Sequence, residues 1–229
     1  MCSSDLTEGL RYQLYLVNGF NANGFTAESA IAEGHQEAQL AHAGDFGAVG
    51  RLDYEPMLGT VIGFSAYAAT SGNTLAATVG SVPVTLFEID ARTRRGAFSA
   101  RAELAFLFIG DAAALSTALA GGTDEQQEAG PISSQSRGAY LELAYDLFHL
   151  IRPSWEQSLT VFGRFDYADT QADVPSGFDP RLEFRRTSII GGLVWRPIPQ
   201  VAIKADVRRR FYGAGDDTNE AAGAITWLF

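Results

Sequence analysis

Period-two alternation of apolar and polar residues, sustained over stretches longer than most soluble strands, constrains this chain more than any other feature. In residues 137–147, Ala139, Leu141, Leu143, Tyr145 and Leu147 alternate with Gly138, Tyr140, Glu142, Ala144 and Asp146. On a helix these positions would scatter around the axis, whereas on a strand each set forms one face. Residues 98–108 repeat the pattern, with Phe98, Ala100, Ala102, Leu104, Phe106 and Phe108 on one side and Ser99, Arg101 and Glu103 on the other. Similar stretches at 11–17, 48–54, 60–70, 82–92, 158–168, 186–195, 201–212 and 220–229 bring the expected total to about ten strands. Most of them run 9 to 12 residues. A tilted bilayer-crossing strand needs about 9 to 11, and soluble sheets usually stop at about 5 to 6. The expected fold class is all-β, an antiparallel up-and-down transmembrane β-barrel.

Composition is compatible with that reading and removes others. Mean hydropathy is -0.01, and no window reaches the ~18 consecutive apolar residues of a membrane helix. Membrane strands average to such a neutral value because lipid-facing and lumen-facing residues alternate. The formal charge of -10 argues against nucleic acid as a partner, since that binding needs a basic surface to neutralise phosphates. A single cysteine, Cys2, precludes an internal disulfide and the paired thiols of common metal sites.

The segments between strands fall into two kinds that alternate along the chain. Short ones lie at 55–58, 93–96, 149–157 and 196–200; mostly long ones lie at 18–47, 71–81, 110–136, 169–185 and 213–219. Outer-membrane barrels have this asymmetry, with tight periplasmic turns and extended external loops. Counting back from a periplasmic Phe229 puts Pro56, Pro153, Pro197 and Pro199 in periplasmic turns, where a residue without an N–H costs no ladder bond. The external loops are expected to be polar and flexible, as in the Asn-Gly pairs of residues 18–24 and the run Asp124, Glu125, Gln126, Gln127, Glu128. A short loop helix is expected at 112–120.

At the end of the chain, Gly223, Ile225, Trp227 and Phe229 share one face, with Ala222, Ala224 and Thr226 opposite. A final aromatic preceded by alternating apolar residues resembles the signal read by the outer-membrane assembly machinery, here Ile225, Trp227 and Phe229. The beginning reads differently. Residues 1–6, MCSSDL, match the translation of the end of a sequencing adapter read from a GTG start, which would leave 7–229 as a barrel portion truncated at its N-terminus.

Assigning the polar face inward gives pore-lining candidates Arg51, Asp53, Glu88, Asp90, Arg92, Arg101, Glu103, Glu142, Asp146, Arg164, Asp166, Arg186, Lys204, Asp206, Arg208 and Arg210. Their signs roughly cancel. In a wide barrel such charges line a hydrated pore; in a narrow one they pair across the lumen. About ten strands alone would enclose a nearly filled interior, whereas ~16 to 18 leave a channel. Arg186, Arg208 and Arg210 should make the external mouth locally basic. Arg185 and Arg209 fall on the outward parity at one height and are expected to contact lipopolysaccharide phosphates, which Arg matches bidentately.

The segments Arg11-Tyr-Gln-Leu-Tyr-Leu-Val-Asn-Gly19, Gly50-Arg-Leu-Asp-Tyr-Glu-Pro56, Gly63-Phe-Ser-Ala-Tyr67 and Arg196-Pro-Ile-Pro-Gln-Val-Ala-Ile-Lys-Ala-Asp206 resemble Gram-negative porin-like proteins, most nearly the phosphate-selective porin group and its uncharacterised relatives. The resemblance spans most of residues 7–229, as the C-terminal portion of a longer barrel. These segments are strand ends and turns, so the resemblance implies an architecture and no phosphate site on named positions.

Catalytic patterns are missing. His35 and His42 share an external loop and His149 lies in a periplasmic turn; Ser65 lacks the second glycine of a nucleophile elbow. The carboxylates of Asp169, Asp173 and Asp179, or of Asp216, Asp217 and Glu220, lack Gly-punctuated calcium spacing and read as solvated acidity. The expected function is passive diffusion of small hydrophilic solutes through a monomeric or homotrimeric outer-membrane porin, with some preference for anions, without cofactor or metal and without enzymatic activity. A narrow structural or enzymatic barrel and a soluble all-β binding protein are the alternatives.

Overall fold

The computed structural model describes residues 2–36, 44–72, 75, 78–128 and 130–228. Eleven strands form one sheet in sequential order: β1 (Cys2–Thr7), β2 (Leu10–Asn18), β3 (Phe46–Met57), β4 (Thr60–Thr70), β5 (Pro83–Arg95), β6 (Phe98–Ile109), β7 (Gln135–Asp146), β8 (Ser158–Asp173), β9 (Arg185–Ile198), β10 (Val201–Tyr212) and β11 (Thr218–Trp227). Every neighbouring pair is antiparallel, so the sheet is an up-and-down meander. Among the described residues its two edges, β1 and β11, are not paired with each other. Strands β2 to β11 are the ten read from the alternation. The backbone of β1, which runs through the segment read as adapter, pairs with β2.

Turns at the β11 C-terminal end of the sheet are tighter than expected because the strands run on. Only Leu58 and Gly59 separate β3 from β4, and only Gly96 and Ala97 separate β5 from β6. Gly59 (φ +81) and Gly96 (φ +55) supply the left-handed backbone that such two-residue connections require. Pro56 and Pro197, expected in turns, instead lie near the ends of β3 and β9, while Pro153 and Pro199 are in turns. Pro56 sits at a register shift between Tyr54 and Met57, where a missing N–H breaks no ladder bond. Strand β7 also stops one residue early. Asp146 caps a one-turn helix, α3 (Leu147–Ile151), by accepting from Phe148 N at 3.1 Å.

At the other end, the β6–β7 connection contains α1 (Ala112–Ala120), as expected, and α2 (Asp124–Glu128), where the acidic run was expected to be flexible. The buried apolar core lies here and not between sheet layers. It comprises Ala22, Phe25 and Ala30 of the β2–β3 loop, Val82 and Val84, Leu107 and Ile109, and Ala112, Leu115, Leu119 and Ile132, with Phe20, Ile31, Tyr67 and Leu86 packed against it. Leu115 and Leu119, one helical turn apart, put one face of α1 into that core.

Candidate functional site

The register sorts every strand residue onto one of two faces. The outward face carries Leu14, Leu16, Leu52, Ile62, Phe64, Phe87, Ile89, Leu104, Phe106, Leu141, Leu143, Phe165, Ile189, Leu193, Val207 and Ile225, all exposed. Exposing so much contiguous apolar surface to water would be very unfavourable; facing hydrocarbon it is what insertion requires. Aromatic residues bound this belt at both ends. Tyr54, Phe98, Tyr145, Trp195 and Trp227 face outward near the turns, and Phe46, Phe108, Tyr167 and Phe211 face outward near the loops. From Phe98 to Phe108 the strand covers roughly 33 Å at about 3.3 Å per residue. With a tilt of about 40° that is close to the ~25 Å apolar height of outer-membrane barrels.

All the residues expected to line a pore lie on the inner face, and the register arranges them in rows. One row links Asp53, Asp90, Glu103, Tyr140, Asp166 and Arg210. The next row toward the turns links Arg92, Arg101, Glu142, Arg164 and Arg208. An acidic row therefore runs beside a largely basic one, and ion pairs form between rows. Arg51 lies 2.7 Å from Asp53, 2.8 Å from Asp90 and 4.0 Å from Glu88. Arg164 lies 2.6 Å from Asp166 and 3.9 Å from Glu142, with its guanidinium 4.2 Å from the Tyr140 ring centre. Lys204 lies 3.2 Å from Asp206.

The basic mouth expected at the loop end is offset in part, three arginines facing two carboxylates. Arg208 and Arg210 share Glu220, at 3.6 and 3.3 Å, and Arg186 lies 3.7 Å from Glu28. These partners came from loop and edge residues whose proximity the strand pattern did not reveal. The surplus lies at the turn end instead. A polar recess of about 500 Å³ is lined there by Arg94, Arg101, Arg196 and Lys204, with Glu142 and Asp146. Asp146 is committed to the chain itself, accepting from Phe148 N and Leu159 N. Among the described residues, Arg92, Arg94, Arg101 and Arg196 have no carboxylate within ion-pair distance, and Arg92 lies directly opposite Arg101. Arg94 and Arg196 were missed because both were assigned to turns; only the overrun of β5 and β9 puts them on the wall.

The loop end is closed over by chain. Residues 19–36 cross the inner face, from the contact between Phe20 and Tyr67 on β4 to β8 and β9. Thr170 Oγ1 donates to Ala27 O at 2.6 Å, Arg186 Nη2 donates to Glu28 O at 3.1 Å, and Gln126 Nε2 donates to Asn23 Oδ1 at 3.0 Å. A loop spanning strands five places apart, with Phe25 fully buried beneath it, forms a fixed insert over the wall.

The remaining sequence candidates are placed as follows. Arg185 and Arg209 face outward at the loop end, but the register separates them: Arg209 is opposite Ile189, while Arg185 O accepts from Gly213 N. Ile225 and Trp227 face outward on β11; Phe229 and His42 lie outside the described residues. Ser65 Oγ accepts from Arg51 Nη1 at 2.9 Å in mid-wall, while His149 lies in α3 at the turn end. Of the loop carboxylates, Asp169 lies 3.7 Å from Arg137, Asp217 lies 3.6 Å from Arg209 and Glu220 holds Arg208 and Arg210.

A meander of bilayer-length strands, apolar and girdled outside and charged inside, defines an outer-membrane β-barrel protein of bacteria. No protein-family model matches the chain. It is similar to an uncharacterized protein of Aquifex aeolicus (strain VF5), 27% identical over 225 residues, which cover 97% of this chain and 51% of that protein. The chain thus spans about half the length of that relative. Its fold is similar to that of two variants of the ferric enterobactin receptor of Pseudomonas aeruginosa, with TM-scores of 0.50 and 0.51 and identities of 13% and 15%. Each match covers 97% of this chain and 37% of the receptor.

Proposed function

We propose that this chain forms part of the wall of a porin-type channel for passive diffusion of small hydrophilic solutes, with a preference for anions set at the turn end. The single observation that carries this reading is the group Arg94, Arg101 and Arg196 around an open polar recess on the inner face, none of them with a carboxylate within ion-pair distance among the described residues. Elsewhere on the inner face Arg51 lies beside Asp53 and Asp90, Arg164 beside Asp166, and Arg208 and Arg210 beside Glu220, so these guanidinium groups contribute less net field. Cations without partners raise the local concentration of anionic solutes, and a concave low-dielectric wall focuses that field. The insert of residues 19–36 narrows the external entrance, so solutes are sieved before they reach the recess. Closure belongs to the same proposal. The free edges of β1 and β11 would leave backbone groups unsatisfied in hydrocarbon, so further strands complete the barrel.

Zero-current potential in a KCl gradient across a planar bilayer, with the full-length protein inserted, tests the reading. The expected result is anion preference that is lost in the combined variant Arg94→Gln, Arg101→Gln, Arg196→Gln. It should be retained in Arg208→Gln with Glu220→Gln, where one positive and one negative charge of the same pair are removed together. No ion flux through the folded protein, or selectivity indifferent to the combined variant, would sink it.

A further inference from the structure

Charge is confined to the ends of the outward face. Along β5 to β10, outward arginines occur only as Arg95 at the turn end and as Arg137, Arg185 and Arg209 at the loop end. Charge on the lipid face is tolerated near the interface and disfavoured toward the midplane, so these positions lie level with headgroups. Arg137 and Arg185 belong to one register row, on either side of Asp169 on β8. At about 4.8 Å between strands, their Cα atoms lie roughly 10 Å apart, within the reach of two long side chains converging on one group.

Asp169 offsets one of the two positive charges and leaves the other uncompensated. Its side chain is held within the wall, accepting from Tyr167 Oη at 3.2 Å and from Gln171 N at 3.2 Å, with Arg137 Nη2 at 3.7 Å. The Arg137 guanidinium lies 5.9 Å from the centre of the Tyr167 ring. Arg185 is exposed and has no ion-pair partner among the described residues. Arg209, which like Arg137 has a carboxylate and a ring beside it, is set apart by its position along the strand. It sits four residues nearer the belt than Gly213, the β10 neighbour of Arg185, and it is engaged by Asp217 at 3.6 Å and by the Phe211 ring at 5.0 Å.

We propose that Arg137 and Arg185 bind a phosphate of an outer-leaflet glycolipid headgroup, that of lipopolysaccharide, whose acyl chains run down over Leu141, Phe165 and Ile189. The occupant is a lipid because the two guanidinium groups border an exposed apolar belt, so a ligand seated there must present phosphate and hydrocarbon together. Planar guanidinium groups suit phosphate oxygens by paired hydrogen bonds. Arg209 lies outside the site.

The test is native mass spectrometry of the full chain folded in detergent and titrated with diphosphoryl lipid A, its dephosphorylated analogue and inorganic phosphate. The expected result is retention of diphosphoryl lipid A by the parent chain and a loss of affinity of about tenfold or more in Arg137→Gln with Arg185→Gln. Arg209→Gln should stay within about twofold, and the dephosphorylated lipid should bind the parent and the double variant alike. Heat-modifiable gel migration reports folding of each variant. Should the double variant not fold, Arg137→Lys and Arg185→Lys keep the charge without the fork and should each lose part of the affinity. Parent-like retention by the variants, an equal loss in Arg209→Gln, or displacement of the lipid by millimolar inorganic phosphate overturns the proposal.

Discussion

At its loop end the inner wall is apolar: Val84, Leu107 and Ile109 are buried under Phe25, Leu115 and Ile132. At its turn end, six to ten residues away on the same strands β5 and β6, the wall carries Arg92 and, around an open recess, Arg94 and Arg101. The two ends solve opposite problems. A water-filled lumen cannot face a bare apolar wall, so the loop end is covered by chain that brings its own apolar side chains. The turns at the other end are two residues long in β3–β4 and β5–β6 and have no chain to spare. That end must therefore be polar, and its arginines stay solvated and available to solutes. Under the proposed function, one wall combines a sieve at the loop end with an electrostatic filter at the turn end of the same strands.

Four substitutions break or sharpen that contrast. Phe25→Ala removes the largest fully buried side chain of the insert and should cost about 3 to 5 kcal/mol locally. The expected result is rapid proteolysis within residues 19–36 and higher single-channel conductance, with heat-modifiable migration unchanged; an intact loop would mean that its hydrogen bonds alone hold it. The middle of the wall tests the faces. Leu143→Arg, facing lipid, should cost about 2 to 4 kcal/mol and block assembly into vesicles, whereas Glu142→Arg, its inward neighbour, should assemble. Equal tolerance of the two would overturn the face assignment. The smallest effect belongs to the turn end. Arg101→Gln removes a like-charge neighbour of Arg92 and an opposite-charge neighbour of Glu142, two effects of about 0.2 to 1 kcal/mol that oppose each other, so stability to urea should change little while anion preference weakens. A clear loss of stability instead would assign Arg101 a structural role.

Much of this was legible in the sequence. Strands β2 to β11, the two faces, α1 and the inward position of every charged candidate follow from period two, because a residue's side of a sheet depends only on local parity. What parity cannot carry is register and loop placement. Arg185 and Arg209 share a face, so the sequence put them at one height; the β9–β10 register separates them. Arg208 and Arg210 looked like a basic mouth until β11 brought Glu220 beside both. Loop composition was read as polar and flexible, and Phe20, Phe25, Leu115 and Leu119 were the signal available to correct it: large apolar residues in an external loop need somewhere to be buried.

The sequence by itself determined the architecture and the side of the wall on which each charge lies, since both are set by alternation within one strand. Only the tertiary structure decided which charges are spent on one another and which remain free. That depends on distances between residues far apart in the chain, such as Arg186 and Glu28, Arg51 and Asp90, or the opposed Arg92 and Arg101, and these are set by strand register and by the path of the loops.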